Sequence, residues 1–402
     1  MNAPGVRRLL FVRALRAFGD GYVSLLLPVY LLSLGLTPFE VGVIATATLL
    51  GSGALTLWVG LHAYRFHYRA LLIAAALLMT ATGIGFASFS AFAPLLVIAV
   101  VGTLNPSSGD VSVFLPLEHA VLSRIVDDRR RTAVFARYSL VGALVAAFGA
   151  LCAGVPEWIA ATFAVSMIGA YQAMFGFYAF LGIASGWAYR KLPARLTADV
   201  ERPASPLSKS RRTVYKLAAL FSLDAFGGGF IVQSLLALWL LERYQLSIAV
   251  AGTIFFWSGV FSALSYLVAT RIADRFGLVN TMVFTHLPSS LLLLMIPFAP
   301  SLAFAIALLL ARSALSQMDV PTRSSYVMAV VAPSERAAAA SLTSVPRSLA
   351  AAVSPLIAGY LLGLSSFGWP LIIAGGVKIV YDLLLLANFR SVRPPEEIAA
   401  GN

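Results

Sequence analysis

Charged side chains lie within apolar stretches that are long enough to cross a bilayer. Residues 11–32, FVRALRAFGDGYVSLLLPVYLL, contain Arg13, Arg16 and Asp20. An acid that faces lipid costs about 2.5–3.5 kcal/mol at the centre of a helix, so these carboxylates are expected to face one another or water. In such a position they can form ion pairs or carry protons. Three further aspartates lie within apolar stretches: Asp110, Asp224 and Asp319.

Two of these aspartates have an arginine one helical turn away. Arg16 precedes Asp20, and Arg323 follows Asp319, each at a spacing of four residues. Residues at this spacing share one face of a helix. The spacing therefore predicts two local ion pairs, and it leaves open whether they serve structure or transport.

Asp110 has no base at this spacing and lies near the middle of the fourth apolar stretch. Burial disfavours the charged form of an unpaired carboxyl, which is what a proton carrier working near neutral pH requires. Asp110 is therefore the first candidate for proton coupling, and a pair with an arginine on another helix is the alternative. Asp20 and Glu118 are further candidates. Glu118, two turns after Asp110, could relay a proton or bridge to Arg137 on the next helix.

The composition is that of a membrane protein. Of the 402 residues, 59% are hydrophobic and 11% are charged, and the mean hydropathy is +0.87. Soluble domains carry far more charge, and apolar runs of about twenty residues recur along the chain. The runs do not alternate as barrel strands would, so an all-α membrane protein is expected. We predict twelve spans: 9–34, 38–61, 69–90, 94–124, 134–154, 159–189, 215–242, 247–270, 279–298, 301–330, 337–363 and 368–388.

The formal net charge of +12 is explained by topology rather than by nucleic-acid binding. About twenty Lys and Arg lie in the N-terminus, in the loops after the even-numbered spans and in the tail, whereas the opposite loops hold only Arg243. Because positive loops stay in the cytoplasm, both termini and residues 191–214 are predicted to be cytoplasmic, in the inner (plasma) membrane.

Several chemistries have no sequence support. Cys152 is the only cysteine, and the four histidines lack metal-ligand spacing, so neither a disulfide nor a bound metal is expected. No phosphate-binding G-x-x-x-x-G-K-S/T loop and no hydrolase motif are found. We therefore expect no enzyme activity, no cofactor and no use of ATP. The histidines are His62, His67, His119 and His286.

The chain contains an internal repeat. Segments of the first half recur in the second half at a shift of about 208 to 210 residues, and the polar stretch 191–214 separates the halves as a linker. The predicted domains are therefore 1–190 and 215–402, each with six helices. The matching segments are GDGYV (19–23) with GGGFI (227–231), LTPFEVG (36–42) with LSIAVAG (246–252), and GLHAYRFHYR (60–69) with TRIADRFGLV (270–279).

Two six-helix repeats joined by a cytoplasmic linker resemble the major facilitator superfamily over essentially the whole chain. That superfamily carries a pattern of glycine, acidic and basic residues in the loop between spans 2 and 3. The second-half copy, ADRFG at 273–277, is similar to it, whereas Tyr64 and His67 replace the acid and the glycine in the first half. The resemblance implies a cytoplasmic gate formed by Asp274, Arg275, Gly277 and Arg65.

The resemblance also implies that spans 1, 4, 7 and 10 line a central cavity, and each of these spans carries an aspartate. We hypothesise that Arg16 and Asp224, at matching positions of the repeat, form a bridge that opens and closes as a gate. Lys378 and Asp382 are expected to pair with each other on span 12, and Arg347 could meet an anion or a span-10 acid. The candidates for the substrate cavity are Asp224, Asp319, Arg323, Arg16, Tyr22, Phe230 and Arg347.

These features predict a secondary transporter that works by alternating access. Acids outnumber free bases among the cavity candidates, which favours proton-coupled export of a small cationic, zwitterionic or amphipathic compound. The alternatives are uptake or facilitated diffusion of a small organic anion, recognised by Arg16, Arg323 and Arg347, and a sensor that does not transport. The expected partners are the small-molecule substrate, protons and the lipid bilayer, with a monomeric protein and no nucleic acid.

Overall fold

The structure is a computed structural model, and it describes residues 4–62, 65–107, 112–126, 128–192, 210–331 and 335–390. These residues form helices and no strands, which confirms the all-α fold class. The helices are α1 (Pro4–Ser33), α2 (Pro38–His62), α3 (Tyr68–Ser88), α4 (Phe92–Val101), α5 (Phe114–Ile125), α6 (Asp128–Leu151), α7 (Val155–Phe163), α8 (Met167–Arg190), α9 (Arg211–Gly229), α10 (Gln233–Tyr244), α11 (Ile248–Phe276), α12 (Leu278–Met295), α13 (Leu302–Leu315), α14 (Asp319–Val330), α15 (Arg336–Leu364) and α16 (Trp369–Phe389).

Eleven helical segments within the described residues are long and apolar enough to cross a membrane, and α4 is a shorter apolar helix. The predicted spans 4, 7 and 10 are each divided into two helices, which are α4 and α5, α9 and α10, and α13 and α14. Proline and glycine explain where regular structure stops. Gly102 and Pro106 follow α4, and Pro321 lies in the first turn of α14, where a missing N–H is tolerated.

The predicted boundary between spans 5 and 6 was wrong. The α6 helix continues through a 3₁₀ turn, Cys152–Gly154, into α7, and α8 begins only at Met167. Pro156 is in the first turn of α7 and does not break the chain there. The connection occurs instead at Ala164, whose φ is +52°, and the Ser166 side chain caps α8 by accepting a hydrogen bond from Gly169 N at 3.1 Å.

The chain divides into two compact units. The first comprises Met1–Val200 with Val232–Phe256, and the second comprises Glu201–Ile231 with Trp257–Asn402. This division differs from the predicted halves, because Val232–Phe256 belongs with the first unit. Within that unit, Ser234 N donates to Pro106 O at 3.0 Å, and Gln233 Nε2 donates to Ser24 Oγ at 2.9 Å.

Glycines bring the main helix pairs close together. In the first unit, α1 packs on α6 with Gly21 against the carbonyl group of Ala146, where a Cβ atom would not fit. In the second unit, α9 packs on α15 with Gly229 against the carbonyl group of Ala351. Small residues at such positions allow close contact between membrane helices, and here they bring the charged residues of neighbouring helices within reach of one another.

Candidate functional site

The first unit contains a buried cluster around one carboxylate, the Glu118 cluster, which consists of Arg16, Glu118, Tyr138 and Tyr189. Arg16 Nη2 and the Tyr138 hydroxyl both donate to Glu118 Oε2, and the Tyr189 hydroxyl donates to Glu118 Oε1 at 2.5 Å. The exposed fractions of Arg16 and Glu118 are 2% and 0%. A buried charge must be paired and hydrogen-bonded, and Glu118 meets this requirement with three donors.

Arg16 is held on its other side by an aromatic ring. Its guanidinium carbon lies 4.1 Å from the centroid of the Phe114 ring, which is a cation–π distance. Arg16 forms its ion pair with Glu118, which lies 102 residues away in the sequence. The charge of Asp20, on the same helix as Arg16, also acts on the guanidinium group. Arg137, the other predicted partner of Glu118, has an exposed side chain, so that prediction was wrong. Sequence spacing indicates neighbours on one helix but not partners on another.

The other first-unit candidates have mixed outcomes. Asp20 is buried, and its charge acts on both Arg16 and Tyr178. The Tyr22 hydroxyl donates to Met174 O at 3.1 Å, and the residue is fully buried, which is the environment of a packing residue. Asp110, the first candidate for proton coupling, lies outside the described residues.

The second unit contains a larger cluster, the Asp224 cluster, built from four helices. Asp224 Oδ1 accepts a hydrogen bond from Lys378 Nζ at 2.6 Å, and Asp224 Oδ2 accepts one from Arg323 Nη2 at 2.9 Å. Arg323 Nη2 also donates to Asp319 one turn away. His286 Nε2 lies 3.5 Å from Asp224 Oδ1, and His286 Nδ1 lies 2.9 Å from Asp382 Oδ1. The cluster consists of Asp224, His286, Asp319, Arg323, Lys378 and Asp382, all of which are buried.

The pairing within this cluster confirms one local prediction and corrects two others. The i,i+4 pair between Asp319 and Arg323 is present. Lys378 and Asp382, expected to pair with each other, direct their hydrogen bonds to Asp224 and His286 respectively. Asp224, expected to bridge to Arg16, has two cationic partners within its unit, Lys378 and Arg323. The hypothesised bridge from Arg16 is therefore not needed to neutralise Asp224.

Sequence reasoning missed His286 as a functional residue. A single histidine carries no spacing signal, but the repeat does carry one. At the repeat shift of about 210 residues His286 corresponds to Ala76, so a titratable side chain replaces a small apolar one. No group of three His, Cys, Asp or Glu residues suited to a metal ion occurs in the described part of the chain.

Arg347 differs from every other charged residue near this cluster because its side chain is exposed. It precedes Ala351 by one turn and Ser354 by two turns on α15, and both of those residues contact α9. Arg347 therefore lies on the α9 side of its helix. The charges that act on it most strongly are those of Arg323 and then Asp224 and Asp319.

Two guanidinium groups in this region have unused hydrogen-bond donors. Nε and Nη1 of Arg323 are buried and have no hydrogen-bond partner among the described residues. The Arg347 side chain forms no salt bridge and no hydrogen bond with any other described residue. Phe230, the remaining cavity candidate, is buried against Phe226, with a distance of 5.2 Å between the ring centroids.

Three of the predicted gate residues, Asp274, Arg275 and Gly277, lie at the connection between α11 and α12, whereas Arg65 lies between α2 and α3. Gly277 has a φ of +83°, a conformation that favours glycine, and it follows the last residue of α11. Arg275 is exposed, and its guanidinium carbon lies 5.4 Å from the centroid of the Phe276 ring. Arg65 is also exposed, and the side chain of Asp274 lies outside the described residues. The gating role stays a prediction.

Comparison with known proteins gives a consistent result. An uncharacterized membrane protein of Saccharomyces cerevisiae is 25% identical over 419 residues, which cover 94% of this chain and 92% of that protein. Among solved structures, the nucleoside transporter NupG matches with a TM-score of 0.73 at 13% identity, covering 97% of this chain and 100% of that one. The human organic anion transporter MFSD10 matches with a TM-score of 0.64 at 16% identity, covering 96% and 100%.

A third solved structure is similar over the same extent. A bacterial homologue of the human lysosomal transporter Spinster, in an inward-facing and unoccupied conformation, matches with a TM-score of 0.69 at 12% identity, covering 95% of this chain and 97% of that one. These likenesses show the fold. The family described as the Major Facilitator Superfamily matches residues 9–238 and 217–401, so the chain belongs to this superfamily and is a membrane transporter, not an enzyme.

Proposed function

We propose that the protein is a secondary transporter of small organic anions, and that the acidic group of the substrate binds Arg347 together with the unused donors of Arg323. The observation that carries this proposal is the exposed side chain of Arg347, which has no carboxylate partner among the described residues. The charge balance of those residues also supports it. Glu118 in the first unit and Asp224, Asp319 and Asp382 in the second all accept hydrogen bonds from other side chains. The charged side chain near the second cluster that has no partner among the described residues is therefore a cation, Arg347.

This balance reverses the reason for expecting a cationic substrate. That expectation counted acids against free bases along the sequence, where a partner on another helix is invisible. Proton-coupled export of a cation stays a prediction that depends on Asp110. An anion site is better supported, because a second guanidinium beside Arg323 is unfavourable until a negative charge separates the two.

The chemistry of guanidinium groups indicates which anions fit. Arginine presents planar pairs of N–H donors that match the two oxygens of a carboxylate or the oxygens of a phosphate ester. An exposed Arg347 facing lipid would cost about 2.5–3.5 kcal/mol, and the position of this residue on the α9 side of α15 argues against lipid. A water-filled, anion-accessible space accounts for both its charge and its exposure.

The transport cycle that we propose follows the superfamily. Two units alternate access to the anion site, with Asp274, Arg275, Gly277 and Arg65 at a cytoplasmic gate. Both termini lie in the cytoplasm, the membrane is the inner or plasma membrane, and the protein works as a monomer. The asymmetric distribution of Lys and Arg supports this orientation.

The proposal is tested with purified protein in detergent and in proteoliposomes. Benzoate, glutarate and phenyl phosphate serve as anionic probes, and tetraethylammonium and choline serve as cationic ones. We expect at least one anion to raise the melting temperature and to show saturable counterflow. Arg347→Gln should weaken binding about tenfold to a hundredfold, because it removes charge-assisted hydrogen bonds.

The control is Arg390→Gln, a change of the same kind at an exposed residue at the end of α16, which should leave counterflow unchanged. Arg347→Lys separates charge from geometry, because lysine keeps the charge but cannot form the paired contact. Counterflow of a cation that is abolished by Asp110→Asn, with none for any anion, would overturn the proposal in favour of cation export.

A further inference from the structure

His286 lies between two carboxylates in the interior of the second unit. Its Nδ1 atom is 2.9 Å from Oδ1 and 3.0 Å from Oδ2 of Asp382, and its Nε2 atom is 3.5 Å from Asp224 Oδ1. An ionised carboxylate can only accept hydrogen bonds, so Nδ1 carries a hydrogen whenever Asp382 is charged. The variable proton therefore belongs to Nε2, which faces Asp224.

The helices around His286 carry charges of both signs. His286 lies on α12, and α16 contributes both its hydrogen-bond acceptor and an ammonium group. The ring of Tyr381 packs edge-on against the imidazole, with the centroids 5.8 Å apart. The charged groups that face this region are Asp224 on α9, Arg312 on α13, Asp319 and Arg323 on α14, and Lys378 and Asp382 on α16.

The count of these charges decides how easily Nε2 accepts a proton. Three carboxylates face the three cations Arg312, Arg323 and Lys378, so the region is neutral when His286 is neutral. Arg347 adds a fourth cation within electrostatic range of Arg323, and its charge opposes protonation. An anion bound at Arg347 cancels that charge and makes protonation of His286 more favourable.

Protonation also changes the hydrogen bonding of Asp224. A hydronium ion gives a proton to the lone pair of Nε2, its O–H bond breaks to leave water, and the imidazolium gains an N–H that faces Asp224 Oδ1. This oxygen already accepts from Lys378, while Oδ2 accepts from Arg323. A third cationic partner for Asp224 weakens its hold on Arg323, which leaves Arg323 more available to an anion.

From this geometry we infer that His286 is a proton-binding site that couples proton uptake to anion binding, so that the proton and the anion move in the same direction. The inference rests on the proposed anion site at Arg347. Coupling between two sites is reciprocal. A bound anion therefore favours the proton on His286, and the proton favours the anion to the same degree.

The transport test uses proteoliposomes with an acidic exterior and the probes benzoate, glutarate and phenyl phosphate. The wild-type protein should accumulate a probe anion when the pH gradient is imposed. In His286→Gln the ratio of internal to external anion should fall to about one, whatever rate of counterflow remains, because the gradient no longer acts. His62→Gln, the same change at a histidine bonded to Trp58 O, should accumulate the anion as the wild type does.

A second measurement does not depend on transport or on the folding of a variant at position 286. Protein labelled with [¹⁵N]histidine gives signals for four histidines, and Gln variants at 62, 67 and 119 assign the signal of His286 by elimination. The ¹⁵N shift of Nε2 reports whether this atom carries a hydrogen. Addition of a bound probe anion at fixed pH should increase its protonated fraction in the wild type but not in Arg347→Gln.

The outcomes separate the two proposals. Absence of counterflow for every anionic probe overturns the anion site, whereas anion counterflow without accumulation under the gradient overturns the inference about the proton. Accumulation that persists in His286→Gln, or that is lost only in Asp110→Asn, assigns the proton elsewhere and overturns it as well. If the signal shows that Nε2 of His286 keeps one protonation state across the pH range, the inference about the proton is also overturned.

Discussion

The Glu118 cluster and the Asp224 cluster occupy corresponding positions of the internal repeat but differ in charge. At the repeat shift of about 208 to 210 residues, Arg16 corresponds to Asp224 and Phe114 corresponds to Arg323. These corresponding positions form a cation–π contact between spans 1 and 4 in the first unit and a salt bridge between spans 7 and 10 in the second. The first unit adds an ion pair between the same two spans, from Arg16 to Glu118.

The outer helices repeat this difference. Gly19 packs against Tyr178 in the first unit, and Gly227 packs against Lys378 in the second. Tyr178 and Lys378 are 200 residues apart, a shorter shift than in the earlier spans, and at this shift Gly182 corresponds to Asp382. Gly182 packs on Thr80 and on the carbonyl oxygen of Ala76, whereas Asp382 bonds to His286. The remaining correspondence is between Tyr138, which donates to Glu118, and the exposed Arg347.

This comparison indicates a division of labour. The first-unit cluster satisfies one acid with an arginine and two tyrosines and leaves no charge in excess. The second-unit cluster holds three acids and a histidine among several cations, with Arg347 unpaired in the described residues. Arg16 Nε and two nitrogens of Arg323 all lack a hydrogen-bond partner among the described residues, so spare donors do not distinguish the clusters. The difference is that the second contains a histidine between two carboxylates, and such a base can respond to an anion or a proton.

The largest effect on stability is expected from Asp224→Asn. The change removes the negative charge from Lys378 and Arg323 and leaves two buried cations undercompensated. Breaking a buried ion pair in this way lowers the free energy of unfolding by about 3–5 kcal/mol. We expect Asp224→Asn to lie at the upper end of this range, because Asp224 has two cationic partners. Reversible unfolding in detergent measures the loss. A loss below about 1 kcal/mol would mean that the cluster is hydrated, and the contrast between the two units would then lose its basis.

Glu118→Gln is expected to be somewhat less damaging, at about 3 kcal/mol. It leaves only one cation, Arg16, without its partner, and the amide oxygen of glutamine can still accept from the tyrosines. Addition of Arg16→Met should recover part of the loss, because both members of the pair are then absent. The unfolding measurement used for Asp224→Asn gives a direct ranking, and a larger loss for Glu118→Gln would reverse the proposed order of the two clusters.

Most of the fold could be predicted from sequence, but the pairing of the charges could not. Hydropathy locates the helices because each span must satisfy its own backbone. The i,i+4 rule identified the pair of Asp319 with Arg323, because both residues lie on one helix. It could not identify Glu118 as a partner of Arg16 or Asp224 as the partner of Lys378. These residues lie on other helices, and no pattern along the chain reports which helices touch.

The sequence also did not predict where the helices of a span are interrupted. Spans 4, 7 and 10 are long and mostly apolar, so hydropathy treats each as one helix although the structure divides it. The local signals, such as Pro106 and Pro321, were visible, but proline occurs equally within continuous helices such as α1, which contains Pro28. Packing against neighbouring helices decides whether a proline interrupts a span.

A smaller effect is expected from removal of one hydroxyl in the Glu118 cluster. Tyr138→Phe deletes a donor to Glu118 but leaves Arg16 and Tyr189 in place. The loss should be about 1 kcal/mol, the usual net value of a hydrogen bond. Tyr189→Phe provides the matched comparison on α8. Additive losses in the double variant would contradict the shared network, because residues that share a partner are expected to be coupled.

The smallest net effect is expected when the second unit is given the small-residue contact of the first. The double variant His286→Ala with Asp382→Gly copies Ala76 and Gly182 onto α12 and α16. His286→Ala alone leaves the Asp382 carboxylate buried without its donor, which is costly, whereas the double variant removes both polar groups together. It should therefore unfold at a higher denaturant concentration than His286→Ala alone, despite losing more atoms. If the double variant is the less stable of the two, the cavity left behind outweighs the relief of the orphaned charge, and the second unit cannot adopt the packing of the first.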